Sequence, residues 1–110
     1  MIQYNKLIRD NIPEIIKEGN KSCVVEVLDE SRFIVELNKK LLEESIELSE
    51  ASNRDEIINE LADIQELIDT IKEKNGILDE EVMEKQVKKA QTNGRFEKRL
   101  YLVSVSDPDE

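Results

Sequence analysis

Two runs between Leu41 and Ile64 decide how this chain reads: Leu41-Leu42-Glu43-Glu44-Ser45-Ile46-Glu47-Leu48 and, after a break, Glu60-Leu61-Ala62-Asp63-Ile64. Each places one carboxylate in or beside an apolar helical stripe and a second three residues later, further round the helix. At ~100° per residue, Ile34, Leu37, Leu41 and Leu48 form a stripe about 60° wide, with Glu44 some ~20° and Glu47 some ~80° from it on one side, while Glu43 and Glu50 project further away. In the second run Ile57, Leu61, Ile64, Leu67, Ile68 and Ile71 share one side; Glu60 lies inside that arc and Asp63 about 40° outside it, with Glu66 and Asp69 towards solvent.

Working outward, the expected fold class is mostly α, an antiparallel helical bundle of one 110-residue domain, 1–110. Core helices are expected at about 31–51, 55–74 and 79–91. The first has Ser31 as its N-cap. The second follows the break Ser52-Asn53-Arg54-Asp55, carries Asp55 and Glu56 on its positive end, and stops at Asn75-Gly76. The third opens at Asp79-Glu80-Glu81 and closes through Lys85, Lys88 and Lys89 before Asn93-Gly94, matching charge to dipole at both ends. Connections this short favour antiparallel neighbours. Pro13 is placed to begin a short N-terminal helix, and Gly19 to end it in the left-handed conformation. Cys23–Leu28 and Leu100–Val105 have the β-branched make-up of strands and are expected to pair as a small ribbon.

Composition narrows the function. The formal net charge is −10, and Glu30 to Glu84 holds 17 acidic against 6 basic residues, which argues against duplex nucleic acid or an anionic membrane as partner. There is no histidine, which excludes Ser-His-Asp and Cys-His nucleophilic catalysis and the usual zinc sets. One cysteine, Cys23, cannot close an intrachain disulfide, and with no signal-peptide pattern at the N-terminus the expected location is cytoplasmic. With two Phe, two Tyr and no Trp, the core must be aliphatic. An extended helical protomer would leave apolar faces uncovered, so a homodimer or homotetramer is expected.

If the two stripes face each other, Glu44, Glu47, Glu60 and Asp63 converge. Four carboxylates in a partly desolvated space cost on the order of several kcal/mol unless protons or cations neutralise them. Oxygen-only ligands select a hard ion, and Mg²⁺, which keeps water and stays open to phosphate oxygens, suits such a cluster better than a closed Ca²⁺ cage; Mn²⁺ would be its substitute. Acids at i and i+3 are also common as a solvated helix face or as ion-pair partners. Two similar pairs on consecutive helices favour the metal.

The order Glu-Glu-x-x-Glu then Glu-x-x-Asp resembles the motif of the all-α nucleoside triphosphate pyrophosphohydrolase superfamily. That superfamily includes MazG-like proteins, dimeric dUTPases and phosphoribosyl-ATP pyrophosphohydrolase. Tyr4-Asn5-Lys6-Leu7-Ile8-Arg9-Asp10-Asn11-Ile12-Pro13 looks like the opening of the phosphoribosyl-ATP-pyrophosphohydrolase-like, MazG-like branch, and Asn93-Gly94-Arg95-Phe96-Glu97-Lys98-Arg99-Leu100-Tyr101-Leu102 is similar to its closing segment. That closing segment tends to read Arg-Gly-Gly-Phe where this chain has Asn93-Gly94-Arg95-Phe96, and Glu44-Ser45-Ile46-Glu47 stands where many relatives place Gly before the last acid.

The resemblance implies an oligomeric Mg²⁺-dependent enzyme that cleaves a nucleotide between its α and β phosphates, giving monophosphate and pyrophosphate, with cleansing of the nucleotide pool as one use. Carried over residue by residue, its metal ligands fall on Glu44, Glu47, Glu60 and Asp63. Glu47 is the first candidate for proton acceptor and Glu43 the second, since no histidine is available. Lys6, Arg9, Lys89, Arg95 and Lys98 are candidates to meet phosphate charge, each competing with ordinary surface solubility. Two alternatives stand beside this: an activity like that of phosphoribosyl-ATP pyrophosphohydrolase, and a non-catalytic helical module for nucleotide binding or dimerisation.

Overall fold

The computed structural model describes residues 2–109. Four helices follow in order: α1 (Ile12–Glu18), α2 (Glu30–Glu50), α3 (Arg54–Lys74) and α4 (Asp79–Asn93). They fall in two compact units, Met1–Asn75 and Gly76–Glu110. No helix among the described residues is long and apolar enough to cross a membrane.

Local chemistry sets the helix ends. Asp29, not Ser31, caps α2: its carboxylate accepts from the Arg32 N–H at 2.8 Å and lies at the positive end of the helix. Asn53 caps α3 by accepting from the Glu56 N–H at 2.9 Å, and the Glu56 carboxylate reaches back to the Ser52 N–H at 2.8 Å. In the second unit the Leu78 N–H donates to Glu81 at 2.8 Å and opens α4. Gly94, at φ 80° and ψ −172°, closes it in a conformation that side chains with a Cβ essentially never adopt. After α1 the left-handed step expected at Gly19 falls instead on Asn20, at φ 60°, while Gly19 keeps φ −82°. Asn is the side-chain-bearing residue that tolerates this region best.

The expected β ribbon is absent: no strand occurs among the described residues, and Cys23–Leu28 and Leu100–Val105 run without ladder partners. Val24, Val27, Leu100 and Tyr101 are almost fully exposed. β-Branched composition favours a strand only where a neighbouring face covers the side chains, and a lone two-stranded ribbon is marginal in water.

The site rests on the α2–α3 pair. The short connection Ala51–Asn53 turns the chain back on itself, and at the far end Lys74 reaches Glu30 at 3.3 Å with its ammonium 5.5 Å from the centre of the Phe33 ring. The last residue of α3 therefore meets the first turns of α2, and the pair is antiparallel. Leu37 and Leu67, at 3% and 9% exposure, form its buried apolar centre. Leu37 lies midway in sequence between Glu30 and Glu44, and Leu67 midway between Glu60 and Lys74. One register thus sets the two leucines level and brings Glu44 to Glu60.

The docked faces are not centred on the apolar stripes. On α2 the covered positions are Phe33, Glu36, Leu37, Lys40, Leu41, Glu43, Glu44 and Leu48, while Ile34 is exposed. On α3 the positions covered around Leu67 are Glu60, Asp63, Ile64, Thr70 and Ile71, with Asp69 and Lys72 partly covered by their mutual ion pair, while Ile57, Leu61 and Ile68 are exposed. Both helices are turned about 40° towards their acidic edges relative to the apolar arcs, judged at ~100° per residue.

Candidate metal centre

That rotation carries Glu44 to the middle of the α2 face. It is the one buried charged residue among the described residues, at 6% exposure. Carboxylate oxygens of Glu44, Glu60 and Asp63 lie within 4.8 Å of one another, and so do those of Glu43, Glu44 and Glu47. Glu44 belongs to both groups and joins them. Glu60 and Asp63 are half-buried, Glu43 is half-buried and Glu47 is exposed. Glu43 therefore lies closer to the seam than its helical projection implied, because the docked face is turned towards it.

Oε2 of Glu44 and Oε2 of Glu60 are buried with no hydrogen-bond partner. An orphaned buried carboxylate oxygen is costly, and carboxylates clustered within a few ångströms repel as well. Burial, above all, pushes the Glu44 carboxyl up to about 7, helped by its contacts with Glu60 and Glu47 and by the negative charges of Glu47 and Asp63. A proton shared between Glu44 and Glu60 satisfies both oxygens; so does a hard cation. Oxygen donors from two helices, partly dehydrated and in excess of their counter-charge, form a donor set that fits such an ion.

Two cations already stand at the edges. Arg9 Nη2 reaches Asp63 Oδ1 at 2.8 Å, tying the N-terminal segment to α3 across 54 residues of sequence. Lys40 Nζ lies 3.6 Å from Glu44 Oε1 and 4.0 Å from Glu43 Oε1, with its side chain only 20% exposed. Sequence reasoning missed Lys40. The signal was there, since it sits one turn before Glu44, at i+3 and i+4 from the two acids and beside the stripe. Of the other cations proposed to meet phosphate, Lys6 lies over the Tyr4 ring, its Nζ 5.7 Å from the ring centre. Lys89, Arg95 and Lys98 belong to the second unit. There Lys89 lines an open apolar groove with Ile77 and Val82, Arg95 pairs with Glu97 at 3.5 Å, and Lys98 is exposed.

The raised Glu44 fixes a pH dependence. A carboxyl held above its unfolded value of ~4.3 favours the fold while it is protonated; that contribution is complete below the unfolded value and disappears as pH rises through the folded one. Metal-free protein should therefore melt progressively lower between about pH 4.5 and pH 7.5, by on the order of 2 kcal/mol in total. Saturating Mg²⁺ should flatten or reverse that slope. A metal-free melting temperature independent of pH across this window would show that Glu44 is not strained.

A comparison of the chain with family models, with curated proteins and with solved structures returns no match to any of them.

Proposed function

We propose that this chain is a divalent-cation-dependent nucleotide pyrophosphohydrolase of the all-α, MazG-like kind, cleaving a nucleoside triphosphate between its α and β phosphates. The observation that carries the proposal is that Glu44 and Glu60 each bury a partnerless Oε2 and that their carboxylates share one cluster with Asp63. Support also comes from the sequence resemblance, whose implied ligands Glu44, Glu47, Glu60 and Asp63 fall within the two overlapping groups.

Glu44, Glu60 and Asp63 would hold the cation from inside the helix pair, and Glu47 from its exposed rim. Mg²⁺, or Mn²⁺ in its place, would supply Lewis acidity to phosphate oxygens and a more acidic water. Glu47, exposed at the rim, would be the group to take up a proton at its carboxylate and pass it to solvent, with Glu43 beside it as the second candidate. Lys40 keeps positive charge against the Glu43–Glu44 side and limits how far the acids repel before the cation arrives. The substrate would occupy a homodimer or homotetramer, since α2 leaves Ile34, Val35, Leu42 and Ile46 exposed and α3 leaves Ile57, Ile58, Leu61 and Ile68 exposed.

The test is pyrophosphate release from a panel of nucleoside triphosphates and phosphoribosyl-ATP, with and without Mg²⁺. Release of pyrophosphate only with the cation supports catalysis, and the preferred member of the panel names the substrate. Cation-stabilised nucleotide binding with no pyrophosphate from any member would leave a non-catalytic binding module.

A further inference from the structure

The Arg9–Asp63 pair has no place in a cation site as such. It ties a segment without regular structure to a residue whose carboxylate lies within 4.8 Å of Glu44 and Glu60. Asp63 is the one member of that group whose negative charge is already met at hydrogen-bond distance by a fixed positive charge, at 2.8 Å. Lys40, its counterpart on the other side, comes no closer than 3.6 Å to a carboxylate and sits in the middle of α2. Arg9 is more exposed, at 60% of its side chain, and lies before α1 begins. It can leave Asp63 by turning side-chain bonds alone.

We propose that Arg9 and the divalent cation compete for Asp63, so that uptake of the cation releases the guanidinium to the phosphates of the nucleotide. This rests on the cation-dependent reading given above. A guanidinium and a dication drawn to one carboxylate repel each other, and both cannot be held at full strength. The freed guanidinium is a planar fork of donors whose best partners are carboxylate and phosphate oxygens, and with the acids occupied by the cation the phosphates of the incoming nucleotide are the anions left. Before uptake, Arg9 neutralises Asp63 and lessens the repulsion within the cluster. After it, the same residue helps offset the charge of the triphosphate. Nucleotide and cation then favour each other's binding through one arginine.

The experiment uses the full chain, Mn²⁺ alone, and then a triphosphate with a non-hydrolysable α,β bridge. Free Mn²⁺ is followed by electron paramagnetic resonance. Arg9→Ala should bind Mn²⁺ more tightly than wild type, roughly threefold to tenfold, since no guanidinium has to be displaced. The same variant should lose about tenfold or more in affinity for the triphosphate analogue when Mn²⁺ is present, and nothing measurable when it is absent. Arg9→Lys, which keeps the charge without the fork, should fall between the two in both titrations. If Arg9→Ala or Arg9→Lys binds Mn²⁺ equally or more weakly than wild type, Arg9 merely docks the N-terminal segment and the exchange is wrong, while the cation site stands. If wild type takes up no Mn²⁺, the cation-dependent reading falls and the exchange with it.

Discussion

Glu44→Gln is expected to abolish Mg²⁺-dependent pyrophosphate release, by on the order of 10³-fold or ~4 kcal/mol of transition-state stabilisation, while raising the melting temperature of the metal-free protein. The two effects have one cause. At pH 8 Glu44 is charged, because its carboxyl is held at about 7 by burial and by its acidic neighbours. Folding therefore confines that charge beside Glu60, Glu47 and Asp63. Glutamine has the same shape, no charge, and an amide that can donate to the orphaned Oε2 of Glu60. The gain should be about 2 kcal/mol at pH 8, a rise of several degrees in a chain of this size, and should vanish at pH 5 where wild-type Glu44 is itself neutral. Glu60→Gln should also lose activity and raise the metal-free melting temperature, and Asp63→Asn should lose activity with its helical circular dichroism retained.

Magnesium should invert this ranking. Added to wild type it raises the melting temperature in proportion to the logarithm of its concentration over its dissociation constant; added to Glu44→Gln it should do little. Differential scanning calorimetry of the four combinations reads both halves at once. Full activity in Glu44→Gln and Asp63→Asn together would show that the carboxylate cluster is not where the chemistry occurs. A Gln variant that melts lower than wild type in the metal-free state at pH 8 would show that Glu44 makes a favourable contact there and is not strained.

The second large effect concerns assembly. Sedimentation should find wild type as a homodimer or homotetramer, and Leu61→Asp should shift it to a monomer with reduced helicity. Leu37 and Leu67 are the only buried apolar residues among those described. So small a buried centre in a pair of 21-residue helices goes with much apolar surface left open. Leu61 is 50% exposed in the middle of the Ile57–Leu61–Ile68 row on α3, and Leu42, 65% exposed, stands among Val35 and Ile46 on α2. An aspartate at position 61 would place a charge in the centre of any surface that covered this row. Wild type sedimenting at 12.8 kDa with full helicity would remove the need for a partner copy.

Much of this could be read from the order of residues alone. The 3.6-residue period, the cap-forming Asn53 and the acidic first turn after it define where α3 begins, since each acts within a few residues of its own position. The same period groups Glu44 with Leu37 and Leu41, and Glu60 with Leu67, whatever surrounds them. Strand-like composition at Cys23–Leu28 and Leu100–Val105 misled because a strand depends on a distant partner that composition does not name.

Tertiary packing decided what lay beyond the reach of one helix. The apolar arcs of α2 and α3 are wide, and a wide arc can dock on either edge; the period says which residues share a face but not which part of the face meets a neighbour. Only the packed pair turned both helices to their acidic edges, burying Glu44 and leaving Ile34, Leu61 and Ile68 open. Only it set Arg9 against Asp63, a contact between residues 54 apart in sequence that no local pattern encodes. The chain order thus determined that Glu44, Glu47, Glu60 and Asp63 lie on or beside the apolar faces of two helices. The rotation and register of those helices, which follow from the sum of all contacts between them, determined that Glu44 joins one cluster with Glu60 and Asp63 and another with Glu43 and Glu47.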